Sequence, residues 1–356
     1  MATLNCGQEI TTDTTLDSDL TCASGPALII AADNIVLDLA GHTISGDPKG
    51  GSNTPGILFR GVSGSTVRNG TVQHFGAGVA LEGGARNVVQ NITSQDNIGP
   101  DSGDFGDGIV VQDSKQNRIE GNTIVRNGPY SGISLLGASE HNVIRHNIVA
   151  DNNMLQTGDP NAGRQDMGIR IEGPGASHNT VDSNTVTGSG ADGITLLPVC
   201  LNRDSNPPCV GVPPNQYNRI LNNTANGNGT SGRGDGVKVF SVPNPLPAAH
   251  STIADNSANG NKEYGIGFEV LSTNNKAIRN SAHGNGKFDG FDGNFGCAAN
   301  AWQSNDFGTV NQPCVGGQKS TAEDATPAWD PEDTKVDQPK VEAQFRKQNH
   351  LADEKA

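Results

Sequence analysis

Apolar residues arrive along this chain in bursts of three to five positions that alternate with polar ones, as in Ile169 and Ile171 against Arg170 and Glu172. The bursts are rich in Ile, Val and Thr and are divided by Gly and Asn, a pattern of short strands and tight turns. They also recur. From about residue 56 to residue 292 a unit of roughly two dozen residues repeats, pairing a Gly-Ile/Val strand start with an Asn-x-Ile/Val start about ten residues later. The first half-unit reads Gly56-Ile57, Gly78-Val79, Gly108-Ile109, Gly132-Ile133, Gly168-Ile169, Gly193-Ile194, Gly236-Val237 and Gly265-Ile266. The second begins at Asn117, Asn142, Asn179 and Asn218, each followed five residues on by Asn122, Asn147, Asn184 or Asn223. No amphipathic helix is visible in the repeat.

Strands this short, at a period too small for a propeller blade and without a leucine-rich consensus, predict a coil in which each turn lays its strands parallel on the turn before. The expected fold is all-β, a single-stranded right-handed parallel β-helix. Asn at one turn position tolerates left-handed backbone angles, and its amide can bond the equivalent Asn of the next rung, so the Asn files read as structural. The Asp-Gly pairs ahead of the strands read equally well as turns in which Gly supplies a positive φ.

A solenoid grows by adding rungs, so the 356 residues are read as one elongated domain. Residues 1–26 form an N-terminal cap, 27–295 the β-helix and 296–317 a C-terminal cap. The Lys-, Asp-, Glu- and Pro-rich stretch 318–356 is a polar tail with one short helix at most. The six cysteines fall into local couples, Cys6 with Cys22, Cys200 with Cys209 and Cys297 with Cys314. They predict disulfides and an oxidising compartment, hence a secreted protein, and the start Met1-Ala2-Thr3, with no hydrophobic segment before Cys6, is read as one from which a signal peptide has been removed. No apolar run is long enough to span a membrane. The net charge of −14 excludes nucleic acid and anionic membrane surfaces as partners. Monomer and homo-oligomer are equally compatible with the sequence.

Four insertions break the period. Residues 96–107 and 151–167 precede the Gly-Ile strand, and 198–217 and 241–250 follow it, so all four border one sheet and predict a groove over it. With Ile109, Ile133, Ile169, Ile194, Val237 and Ile266 inward, the outward column is Val110, Ser134, Arg170, Thr195, Lys238 and Gly267. A second column reads Gln112, Leu136, Glu172, Leu197, Phe240 and Glu269. Asp107, Asp192 and Asp235 stand just before the Gly, with Asp104 and Asp166 nearby. Stacking thus gathers distant acids and bases on one face.

Arg170, Lys238, Asp192 and Asp235 are the catalytic candidates; Asp166, Glu172, Thr195 and Phe240 are candidates for substrate binding; Asp104 and Asp107 are candidates for Ca²⁺. Carboxylates one rung apart, about 5 Å, suit retaining glycoside hydrolysis, and two rungs apart, about 10 Å, inverting hydrolysis. With a cation on a uronate carboxyl group, Lys238 or Arg170 as base would instead give lyase or epimerase chemistry. An Arg170–Asp192 surface ion pair is the plain alternative. His141 and His178, each before a ladder Asn, should stack in adjacent rungs.

The run Leu37-Asp38-Leu39-Ala40-Gly41-His42-Thr43-Ile44-Ser45-Gly46, with rungs such as Asn117–Ile124 and Asn142–Ile148, resembles secreted bacterial right-handed β-helix repeat proteins. These belong to the pectin-lyase-like superfamily and include NosD-like and mannuronan epimerase-like groups. The resemblance covers about residues 5–316 and implies the fold. It implies an activity on polysaccharide only broadly, because the superfamily holds lyases, hydrolases, epimerases and binding proteins. The chain lacks an Asp-Pro-His-Asp run, a Gly-His-Gly and an Arg-Ile-Lys, and Asp107-Gly108-Ile109 and Arg170-Ile171-Glu172 match such motifs only loosely. The leading expectation is an extracellular lyase or epimerase on an acidic glycan. A hydrolase with paired carboxylates and a non-catalytic glycan-binding protein are its rivals.

Overall fold

The structure is a computed structural model that describes residues 4–100, 106–154, 166–173, 175–198, 215–240, 248–297 and 300–317. Cys200, Cys209, Asp104 and the tail from 318 lie outside the described residues, as do the central parts of the four insertions. What is described is a parallel β-helix in which every strand pairs with its equivalent one coil away. Eleven described strands form the principal sheet, running from Gln8–Ile10 through Asp107–Gln112, Ser131–Leu136, Met167–Glu172, Ile194–Leu197, Val237–Val239 and Tyr264–Phe268 to Phe288–Asp292. Two further faces are built from three-residue strands such as Arg118–Glu120 and Thr123–Val125. The longer strands Thr66–Gln73 and Val88–Gln95 bend through the corner and serve both faces. No helix among the described residues is long and apolar enough to cross a membrane.

The repeat spacing produces register directly. Ile109 pairs with Ile133, Ile133 with Ile169, Ile169 with Ile194, Ile194 with Val237 and Val237 with Ile266, and each of these side chains is completely buried. The core is therefore a set of aliphatic files, each side chain packed between its equivalents above and below. The two Cys-bounded ends expected as caps contribute strands of their own. Gln8–Ile10 already pairs with Leu28–Ile30, and Ala301–Gln303 with Lys276–Ile278, so both Cys-bounded ends are themselves parts of coils. Cys6–Cys22 and Cys297–Cys314 are disulfide-bonded, as the spacing predicted.

Two physical reasons read from the sequence also change. The left-handed residue at each corner is the one before the ladder Asn: Gln116, His141, His178 and Tyr217 all have φ of 57–59°. The Asn itself is buried and points inward, and its Oδ1 accepts both the backbone N–H and the Nδ2–H of the preceding rung's Asn. For Asn147 those distances from Asn122 are 2.9 and 3.0 Å, while its own Nδ2 donates to Ile119 O and to Asn184 Oδ1. A third file of the same kind, Asn97–Asn127–Asn152 and Asn228–Asn261–Asn285, holds the remaining corner. The strand-start glycines do not have positive φ. A Cβ on Gly132 would stand 2.6 Å from Val149 Cγ1 and 2.7 Å from Gly168 O, and Gly108, Gly168 and Gly236 are equally confined, so close backbone approach requires them.

Candidate active site

The principal sheet is apolar inside and polar on the middle of its outer face. Val110, Ser134, Arg170, Thr195, Lys238 and Gly267 stand in register on consecutive strands, as the alternation predicted. Ile29, Leu58 and Ala80 make the same column apolar toward the N-terminal end. The polar stretch coincides with the strands that the insertions interrupt in sequence. Although they face outward, Arg170, Thr195 and Lys238 are buried, as are Asp107, Asp166, Glu172, Asp192 and Asp235.

Two clusters share this face. In the first, Arg170 Nη2 pairs with Glu172 Oε2, and the guanidinium lies 4.3 Å from the centre of the Tyr130 ring. Tyr130 donates its hydroxyl to Glu172 Oε2 at 2.9 Å. Ser134 Oγ donates to Asp107 Oδ1 at 2.5 Å. Burial pushes the Asp107 carboxyl up to about 7, with Ser134 and Arg170 opposing and Glu172 reinforcing the rise. Burial also holds Asp166 well above the carboxylate range, helped by the neighbouring Asp107, and neither Asp166 oxygen has a hydrogen-bond partner.

In the second cluster, Asp192 Oδ1 accepts the backbone N–H of Asp235 at 2.8 Å, and its Oδ2 accepts Thr195 Oγ1 at 3.1 Å. Asp235 Oδ1 accepts the N–H of Tyr264 at 3.0 Å, while Oδ2 is buried and unpartnered. Burial raises Asp235 well above its ordinary value; Lys238 opposes that shift, and Asp192 and Glu263 add to it. Lys238 Nζ pairs with Glu269 Oε1 at 3.0 Å and lies 5.4 Å from the centre of the Phe240 ring, which packs on Leu197.

The structure therefore brings Arg170, Glu172, Asp107 and Asp166 together, and Asp192, Thr195, Asp235, Lys238 and Phe240 together. The alternative Arg170–Asp192 ion pair does not form, because each has other partners. Tyr130 carries no repeat signal and was missed by the sequence reading. Among the described residues no group of three or more His, Cys, Asp or Glu side chains is arranged to hold a metal ion. Of the two Ca²⁺ candidates, Asp104 lies outside the described residues, and Asp107 Oδ1 accepts from Ser134. Away from this face, His141 and His178 stack at 4.9 Å as expected, and the exposed file continues through Tyr217 to His250 at 5.0 and 5.2 Å.

Comparison with known proteins bears on the fold. A family model described as "Right handed beta helix region" matches residues 22–186. No curated protein matches the chain significantly. Among solved structures, the Dettilon tailspike protein aligns at 15% identity with a TM-score of 0.52, over 80% of this chain and 49% of its own. The catalytic domain of a GH87 α-1,3-glucanase in complex with nigerose aligns at 16% and 0.51, over 79% and 52%. A mutant tailspike of E. coli bacteriophage HK620 in complex with a hexasaccharide aligns at 12% and 0.51, over 80% and 50%. The chain thus spans about half the length of these structures, and the likeness is one of fold.

Proposed function

We propose that this chain, a right-handed β-helix protein of the pectin-lyase-like superfamily, is a glycoside hydrolase that cleaves a neutral glycan laid along the principal sheet. The observation that carries the reading is the buried Oδ2 of Asp235, which has no hydrogen-bond partner and belongs to a carboxyl group whose hold on its proton is strengthened by burial and by the neighbouring Asp192. A group in that state is a proton donor to a leaving oxygen. Asp192 spends both oxygens on Asp235 N and Thr195 Oγ1, which suits a positioning role. Asp166, both of whose oxygens are buried without a hydrogen-bond partner, is the acceptor for the proton of an attacking water once it has itself ionised, a step that burial pushes to higher pH. Asp235 and Asp166 stand two rungs apart, roughly 10 Å, near the about 6.5–9.5 Å of inverting pairs. In the step, the Asp235 proton passes to the glycosidic oxygen as its bond to the anomeric carbon breaks. Water attacks the opposite face of that carbon and gives its proton to Asp166.

Two features favour hydrolysis over the lyase or epimerase chemistry first expected. Arg170 is committed to Glu172 and Tyr130, which with Asp107 push its guanidinium further up despite burial, away from service as a base. Lys238 is paired with Glu269. Both cations are thus matched by acids, and the net charge of −14 would repel a polyanion. The HK620 tailspike, in complex with a hexasaccharide, and the glucanase, in complex with nigerose, support a glycan as ligand.

The test is product analysis on a panel of neutral and acidic polysaccharides. New reducing ends with an inverted anomer, lost at least about a hundredfold in Asp235→Asn and Asp166→Asn, is the expected result. Products absorbing in the ultraviolet, or activity that persists in both variants, would overturn it.

A further inference from the structure

Three of the eight histidines of this chain fall in one file. His141, His178 and His250 each take the left-handed corner position of a coil, with Tyr217 in the coil between the last two, and the four φ values lie between 53° and 59°. Each corner is tied to the next through the backbone, His141 N to Ser177 O at 3.2 Å, His178 N to Gln216 O at 3.1 Å and Tyr217 N to Ala249 O at 3.3 Å. The same backbone angle repeated one coil apart sends every side chain out in the same direction, so the rings stack. The His141 and His178 rings have centres 4.9 Å apart and planes 11° apart, and the stack continues to Tyr217 and His250. All four residues are exposed.

In such a stack the ring faces cover one another, and the edges are what solvent meets. An imidazole edge carries a lone pair in the ring plane, the one that binds a metal, whereas the phenol edge of Tyr217 offers a hydroxyl instead. His141 and His178 are therefore the one pair of imidazoles in adjoining coils of this file, and Tyr217 isolates His250. Two metal–nitrogen bonds of about 2.0–2.1 Å, at a right or tetrahedral angle, hold their nitrogens roughly 3 Å apart. A tilt of the two exposed rings brings their edges that close, and exposed side chains change rotamer freely. Water completes the coordination shell. Paired imidazoles select late divalent transition metals, with Cu²⁺ at the top of the order, over Ca²⁺ and Mg²⁺, which take oxygen ligands. The net charge of −14 draws cations toward the chain.

We propose that His141 and His178 form a surface site for a late divalent transition-metal ion, Cu²⁺ foremost, bound through one nitrogen of each ring. The site lies on a corner of the coil, away from the principal sheet, and does not depend on the hydrolase reading.

The test is calorimetric titration of the full chain with Cu²⁺ in the presence of excess Ca²⁺, which occupies carboxylate sites, followed by electron paramagnetic resonance of the bound Cu²⁺. Asparagine tolerates the left-handed angle, so His→Asn variants should melt like the parent in the absence of metal. His141→Asn and His178→Asn should each weaken the tightest site at least about tenfold, because chelation by two linked ligands is lost, and should leave one nitrogen on the copper in place of two. His250→Asn, in the same file but beyond Tyr217, should leave that site unchanged. Tyr217→His makes the file four consecutive imidazoles and should add a second tight Cu²⁺ per chain. Parent-like binding in the double variant His141→Asn/His178→Asn, or no added Cu²⁺ in Tyr217→His, would overturn the proposal.

Discussion

Asp107→Asn should make the protein more stable, and increasingly so as the pH rises. The Asp107 carboxyl is 2% exposed and titrates at about 7 in the folded chain against an ordinary 3.8. The folded state therefore holds the proton more tightly than the unfolded one. Its contribution is fully present below about pH 3.8 and is lost as the pH rises through 7. At about 1.4 kcal/mol for each pH unit between those values, roughly 1.7 kcal/mol has been lost by pH 5 and about 4 kcal/mol by pH 8. Asparagine keeps the shape of the neutral acid and can still accept Ser134 Oγ, but it has no charge to desolvate. The stability gain of the variant over the parent should thus grow by about 2.5 kcal/mol between pH 5 and pH 8. Guanidinium unfolding followed by tryptophan fluorescence at pH 5, 6, 7 and 8 measures it. Parallel curves for parent and variant, or a loss of stability at pH 8, would show that the nearby Arg170 outweighs burial and would refute the reasoning.

Asn147→Ala removes an amide with four hydrogen bonds to buried groups and should cost about 3 kcal/mol by chemical denaturation, whereas Ile148→Ala, at an exposed site, should change little. Gly132→Ala forces a methyl group against Val149 and Gly168 O and should cost about 2 kcal/mol or more, where a glycine serving only a turn would cost less. Burial raises both Asp166 and Asp235, so the acid limb of turnover, where Asp166 gains its proton, and the basic limb, where Asp235 loses its own, should both lie at higher pH than ordinary carboxylates would give. A pH–rate profile checks this, and an acid limb near 4 would contradict the assignment. Reduction of Cys6–Cys22 and Cys297–Cys314 should lower the melting temperature, because each closes a loop at an end of the coil.

The sequence shows the fold through its translational repeat. Ile109, Ile133 and Ile169 can share a file only if their coils stack in register, and that register also places Arg170, Thr195 and Lys238 on one outer face. The reasons behind the repeat were less legible. Whether Gly132 answers to φ or to space depends on Val149, whose approach follows from the shape of the corner. That His141, and not Asn142, takes the left-handed angle follows from the Asn side chain turning inward to bond its equivalents. The third Asn file was hidden because Ser189 interrupts it. Contacts between unlike positions escaped altogether: nothing in the repeat announces that Tyr130 will lie over Arg170, or that Asp192 will hold the backbone of Asp235.

The Asn files have a further consequence. In each, the amide carbonyl accepts from the coil before it, so Asn122, Asn147, Asn184, Asn223, Asn256 and Asn280 all direct their oxygens the same way along the axis. Backbone hydrogen bonds between coils run in both senses and largely cancel, but these side-chain dipoles add. The rod consequently has a polarity like that of a bar magnet, with oxygen-rich poles toward the Cys6 end and hydrogen-rich poles toward the Cys314 end. Two such rods meeting tip to tip would be electrostatically matched only when nose faces tail.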